Sequence, residues 1–198
     1  MTSVTEVEPD WRQLKKAATR DRIRASALRL FQQRGYDATT VEHIAAAAGV
    51  SHMTFFRYFP VKEDVVLADS YDPLIADFIA GTPAGWPVIR RIRAALVDGL
   101  RDVYPAMRDT LLATNKLVIA TPALRDRVWA SQIATQQAIL QALDVDGSDP
   151  QASFETRVTV AACLAAAGTA VLAWVENDGV PDLPDLMEQA FDTLSGLP

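Results

Sequence analysis

Cysteine and histidine are scarce in this chain of 198 residues: one cysteine, Cys163, and two histidines, His43 and His52. A lone cysteine cannot close an intramolecular disulfide, and the three residues together make no zinc-binding set, so a reducing compartment and no metal or other cofactor are expected. The same scarcity argues against catalysis, which needs a nucleophile, a base and an orienting group or a metal. Acidic neighbours such as Glu63 and Asp64 sit where a helix N-terminus already accounts for them. Long apolar runs are also missing. The nearest to one, residues 158–175, has 18 uncharged residues, the lower limit for a membrane span, but seven are alanine and Thr159, Gly168 and Thr169 dilute it further. Small residues at that density suit close helix packing inside a protein, and no membrane association is expected. The first residues carry acids where an export signal needs a basic region and an apolar stretch, which points to the cytoplasm. No run alternates with a two-residue period long enough to make a strand, so the expected fold class is all-α.

What is present is the composition of an ordinary soluble protein, 49% hydrophobic and 22% charged. A globular chain of this length buries roughly 70% of its unfolded surface, enough for a real core. The net charge of −6 conceals a division. Residues 1–62 hold ten Lys or Arg against six Asp or Glu, whereas residues 63–198 hold nine against nineteen. Three of the six early acids precede Trp11, so the stretch from Trp11 to Lys62 is more basic still. A compact basic segment joined to a larger acidic one suggests a small polyanion-binding module, with a different task for the remainder.

Helical punctuation divides the chain finely. Ile23, Ala27, Leu30 and Phe31 recur on one helical face between residues 14 and 34, and Gly35 follows as a stop. Thr39 and Glu42 in TTVE have capping-box spacing and predict a second helix through Ile44 to Ala48, ended by Gly49. Ser51 can cap a third helix from His52 to Phe59, stopped before Pro60. Lys62, Glu63 and Asp64 open a fourth, expected to run to about Phe78. Five more are predicted at 88–104, 105–120, 122–143, 151–176 and 184–194, each bounded by proline, glycine or an Asp-rich turn. The expected domains are 12–61 and 62–198.

Two short helices joined by a tight glycine turn describe a helix-turn-helix, whose second helix enters the major groove of DNA. On a helical wheel Phe55, Phe56 and Phe59 share an inward arc, while Met53, Thr54, Arg57 and Tyr58 occupy the other side. The stretch TTVEHIAAAAGVSHMTFFRYFPVKEDVV, residues 39–66, resembles the DNA-binding segment of the tetracycline-repressor (TetR) family in its GVS turn, its aromatic-rich helix and its F-P-x-K-E ending. With LFQQRGYDATT upstream, the likeness reaches back to about Arg22. It implies a helix-turn-helix transcriptional regulator, most simply a ligand-responsive repressor. The family pattern is a homodimer on an inverted-repeat double-stranded DNA operator. Each subunit adds a helical domain that binds a small effector and dimerises through its last two long helices.

Carried over position by position, the resemblance makes Thr40, Thr54, Tyr58 and Lys62 phosphate contacts, which fix register without reading sequence. His52, Met53 and Arg57 fall where base edges are read, and Arg57 can address guanine O6 and N7. Phe56 departs from the tyrosine often found there. His52 lies inside the apolar arc, so a packed or capping histidine is the alternative to a base contact; His43 reads as a surface residue. In the remainder, Trp86, Tyr104, Met107, Leu111 and Trp129 are candidates for lining an effector pocket, with Asn115 as its polar group or, alternatively, a cap or a water-facing residue. The apolar lining implies a hydrophobic effector such as a lipid-like acid or acyl thioester. Ala161, Ala165, Gly168 and Thr169 recur at helical spacing and mark the expected dimer face. The competing readings are a helical protein-interaction adaptor, which leaves the basic segment unexplained, and a helical enzyme.

Overall fold

The computed structural model describes residues 11–67, 71–144 and 150–196, and among them every regular element is helical. The chain divides into two compact units between residues 68 and 69. In the first, α1 (Trp11–Arg34) lays Ile23, Ala27, Leu30 and Phe31 into the core, the i, i+4, i+7, i+8 stripe of an amphipathic helix. Gly35 ends it at φ +83°, a conformation that costs glycine little. Helices α2 (Val41–Ala47) and α3 (His52–Tyr58) follow, then the short α4 (Asp64–Leu67). Val65 and Val66 of α4 are fully buried and α4 packs on α1, which is why the division falls after α4 and not between residues 61 and 62, where the sequence reading places it.

The capping register of α2 differs from the expected one. Thr40, not Thr39, is the cap: its hydroxyl accepts from the backbone N–H of His43 at 3.3 Å, and its own N–H donates to His43 Nδ1 at 3.3 Å. Histidine thus fills the place that Glu or Gln takes in most capping boxes. Thr39 is buried, its hydroxyl donating to the Gly35 carbonyl at 2.8 Å, so it closes the preceding loop instead. His43 is exposed, as read from sequence, and the capping role is added to that.

The second unit comprises α5 (Tyr71–Ala80), α6 (Val88–Arg93), a π-helical turn (Ala94–Asp98), α7 (Gly99–Ala120), α8 (Pro122–Ala142), α9 (Pro150–Glu176) and α10 (Leu183–Ser195). The helix expected over 62–78 is described in two pieces, α4 and α5. The break expected at Pro105 is absent, because α7 runs through it. Pro105 and Arg101, whose carbonyl loses its partner there, both face solvent, and Tyr104 beside them is anchored in the core, so tertiary packing overrides the local preference. Ile79, Ile92, Val97, Ile139, Val160, Cys163, Trp174 and Phe191 form the centre of this core. Burial raises the Cys163 thiol to about 12, leaving it an inert core residue.

Polar ties fix α10 and the turn before it to α6 and α7. The Tyr104 hydroxyl donates to Asp182 at 3.1 Å and accepts from the Leu183 N–H at 3.3 Å. Arg108 donates to the Gly179 carbonyl at 2.9 Å, and Lys116 to Asp178 at 2.7 Å. Farther along, Glu188 receives Arg93 at 2.5 Å and also Arg101. These contacts hold the Glu188 and Asp178 carboxyls below their ordinary range, through hydrogen bonds first and Coulomb attraction second.

Candidate nucleic-acid interface

The turn between α2 and α3 is a Schellman motif. Gly49 sits at φ +64°, its N–H donating to the Ala46 carbonyl at 3.1 Å, while the Val50 N–H donates to the Ala45 carbonyl at 3.0 Å. Ser51 then caps α3, accepting from the Thr54 N–H at 3.1 Å. With both ends defined within seven residues, the direction of α3 is set locally. Its inner face is anchored by Phe55 and Phe59, both wholly buried. Phe56, expected to pack inward with them, is instead 39% exposed and stands edge-on to Phe55, with ring centroids 5.4 Å apart. An arc three residues wide is more than a seven-residue helix packed on one side can bury.

The outer side presents what the wheel assigned to it. Met53 is 83% exposed, an unusual display for a large apolar side chain, and Arg57 is exposed with its guanidinium over the Tyr58 ring at 5.5 Å. Thr54 and Tyr58 are half-buried at the flank. His52 is exposed and not packed inward: its Nε2 lies 3.2 Å from Glu42 Oε1 and its ring stands edge-on to Phe56 at 4.7 Å. The Thr40 hydroxyl is engaged twice at the start of α2: its oxygen accepts from the His43 N–H, and its hydrogen bond to the Glu42 carboxylate, after that carboxylate's own backbone N–H, helps hold Glu42 below its ordinary range.

Lys62 is more committed than expected. Its ammonium donates to the Tyr36 carbonyl at 3.0 Å and the Thr39 carbonyl at 3.1 Å, and lies 3.9 Å from the Tyr36 ring centroid. The Tyr36 hydroxyl in turn donates to Glu63 at 2.6 Å; burial first, and that bond second, push the phenol well above its ordinary range. Lys62 and Glu63 therefore latch the α1–α2 loop, and at most one of the three ammonium donors remains for a phosphate. Nothing in the local sequence marks this latch, because its partners are more than twenty residues apart.

Among the described residues and hollows, the pocket candidates fall in different places. Trp86 lines a hollow of 490 Å³ with Phe78, Asp77 and Asp98, and carries the Arg90 guanidinium over its ring at 3.8 Å. Tyr104 is a buried tether, as described above, beside Trp174. Met107 and Leu111 are half-buried on α7, and Asn115, also half-buried, donates to the Leu111 carbonyl of its own helix at 2.9 Å. The side chain of Trp129 lies outside the described residues. Two further hollows adjoin α9. One, of 520 Å³, runs between α9 and α10; the other, of 790 Å³, is lined by α7, α8 and α9, and the two share Ala165 and Thr169.

Comparison with known proteins gives concordant matches. The model of the tetR family of bacterial regulatory proteins matches residues 23–68, and that of the MftR C-terminal domain matches residues 86–197. The HTH-type transcriptional regulator TcmR of Streptomyces glaucescens is 33% identical over 162 residues, covering 73% of this chain and 70% of TcmR. Among solved structures, Thermus thermophilus FadR, a TetR family repressor in complex with lauroyl-CoA, is 26% identical. The match covers 89% of this chain and 93% of that one, with a TM-score of 0.56. The fatty acid degradation regulator FadR of Bacillus halodurans shares the fold at 22% identity, with coverage of 90% and 95% and a TM-score of 0.58.

Proposed function

Because the chain belongs to the tetR family of bacterial regulatory proteins and is a DNA-binding transcriptional regulator, we propose that it represses from an inverted-repeat operator as a homodimer and releases it on binding an apolar acyl compound. The observation that carries the DNA reading is α3 itself: a capped helix fixed by Phe55 and Phe59 that holds Met53 and Arg57 out to solvent. In this reading His52, Met53 and Arg57 meet base edges in the major groove. Thr40, Thr54, Tyr58 and the remaining donor of Lys62 meet phosphates and fix register.

The dimer reading rests on α9. Its stripe of Phe154, Val158, Ala161, Ala165, Gly168 and Leu172 is exposed in the single chain, at a spacing that keeps it on one face. Small residues there let a second α9 approach closely, and α9 with α10 from each subunit makes a four-helix bundle. A two-fold dimer then meets two-fold DNA, with recognition helices about 34 to 36 Å or a multiple apart. The effector reading is supported by the lauroyl-CoA bound to the Thermus thermophilus FadR and by the largely apolar walls of the two hollows beside α9. An effector needs only a differential affinity for two conformations, with coupling of about 1 to 3 kcal/mol typical. Trp86, Tyr104, Met107, Leu111, Asn115 and Trp129 remain the residues to test for contact with it. Selection of genomic fragments on the purified protein, followed by titration of the recovered site with acyl thioesters of increasing chain length, tests both parts. Recovery of an inverted repeat released by medium or long chains is the expected result; an operator complex indifferent to every acyl compound would remove the effector reading and leave the regulator.

A further inference from the structure

We propose that Glu42 is a positioning residue for sequence recognition: from α2 it fixes which edge of His52, at the start of α3, is offered to a base. The inference rests on α3 being the recognition helix, and it concerns a residue that the outward face of α3 does not include. N-terminal residues of a recognition helix are those that reach base edges, and His52 is the first residue of α3. Its ring is held on two sides. Nε2 faces the Glu42 carboxylate at 3.2 Å, and the ring edge rests on Phe56 at 4.7 Å and 70°, which itself stands at 84° against the buried Phe55. A half-exposed phenylalanine in that place is thereby explained as the shelf under His52.

The carboxylate determines the chemistry of the held ring. An ionised carboxylate only accepts, so the nitrogen facing it carries the proton, and in the neutral ring the other nitrogen, Nδ1, is left bare as an acceptor. An acceptor aimed into the major groove matches the exocyclic amino groups of adenine or cytosine, and is mismatched against the O6 and N7 acceptors of guanine. Glu42 thus converts an ambiguous side chain into a directional one. It does so at a cost in non-specific attraction, because its own negative charge stands beside the phosphate backbone.

The test is a binding selection on randomised duplexes at about pH 8, above the ordinary histidine range, comparing the full-length wild type with E42Q, H52A and R57A. The wild type should show one position per half-site with an adenine or cytosine preference. H52A and E42Q should both flatten that position by about threefold to tenfold, while leaving the position lost in R57A intact. E42Q should also bind random DNA more tightly than wild type, a gain that mere loss of folding cannot produce. An unchanged profile in E42Q, a guanine preference at the position lost in H52A, or a uniform loss in H52A across all sequences would each overturn the proposal while leaving the regulator reading standing. A wild type that selects no sequence at all would remove both.

Discussion

The two units solve opposite problems. In the first, the core closes within the chain around Ile23, Ile44, Phe55, Phe59 and Val65, which have no exposed surface, and the large apolar side chains left in solvent are Trp11 and Leu14 early in α1 and Met53, Phe56 and Val61 in and after α3. In the second, a well-filled core coexists with an uncovered stripe, in which Phe154 is 62%, Val158 52% and Leu172 43% exposed, with Ile133 of α8 at 61%. The first unit is finished as a single chain and offers a polar working surface. The second leaves an apolar face of α9 open, the face that the proposed dimer would bury, and that face contributes to a helix long and apolar enough by composition to cross a membrane.

Breaking the second unit's exposed stripe should give the largest effect. Ala165 is exposed and lines both hollows beside α9, so Ala165→Arg leaves the fold of a single chain intact but places an unpaired charge at the centre of the proposed interface. The expected loss is about 3 to 5 kcal/mol of association, seen as monomers in sedimentation equilibrium and as weak binding to the paired operator. A dimer of unchanged strength would mean that the stripe serves something else. In the first unit the matching test contrasts two neighbours. Phe55→Ala should cost about 3 to 5 kcal/mol in denaturant melts, whereas the half-exposed Phe56→Ala should cost far less. Equal losses would contradict the burial that separates them.

Next in size is Arg57→Ala, expected to cost about 1 to 3 kcal/mol on the operator and much less on random duplex. Lys62→Ala sharpens the distinction between reading and support. If Lys62 only met a phosphate, its loss would weaken all DNA equally and spare stability. With the Lys62 bonds to the Tyr36 and Thr39 carbonyls lost, and the Tyr36 carbonyl keeping only the Thr39 N–H, the melting temperature should fall too, and the loss of affinity should exceed what one charge gives.

What could be read from sequence was what is local. The Gly49 turn, the Ser51 cap and the i, i+4 stripe of α1 are decided within a few residues, and they are also what orients α3. The errors came where neighbours in space were distant in sequence. TTVE and TVEH are adjacent registers of the same capping signal, and the choice went to Thr40 because Thr39 is drawn under the Gly35 carbonyl. Pro105 reads as a break until Tyr104 finds Asp182, 78 residues on. Pocket-lining residues were least legible, because Tyr104 and Trp86 are both large and apolar in composition, and only packing separates a tether from a wall.

The smallest expected effect concerns acid. Glu188 lies on α10, and its pairing with Arg101 and Arg93 ties that helix to α7 and α6. Its carboxyl titrates lower in the folded chain than its ordinary value, chiefly because of the hydrogen bond from Arg101. The unfolded chain therefore binds the proton more readily, so stability from this group is present above the ordinary glutamate range, about 4.3, and is lost as pH falls through the lower folded value. Exposure keeps the effect small. Glu188→Gln can still accept from arginine but carries no charge, so the wild type should melt slightly above the variant at neutral pH, and the gap should narrow as the pH falls below the ordinary glutamate range and through the lower folded value. No gap at neutral pH would show that the buried Leu183, Met187 and Phe191 hold α10 without help from this charge, and a gap that persisted undiminished into acid would show that the substitution acts through something other than the carboxylate's charge.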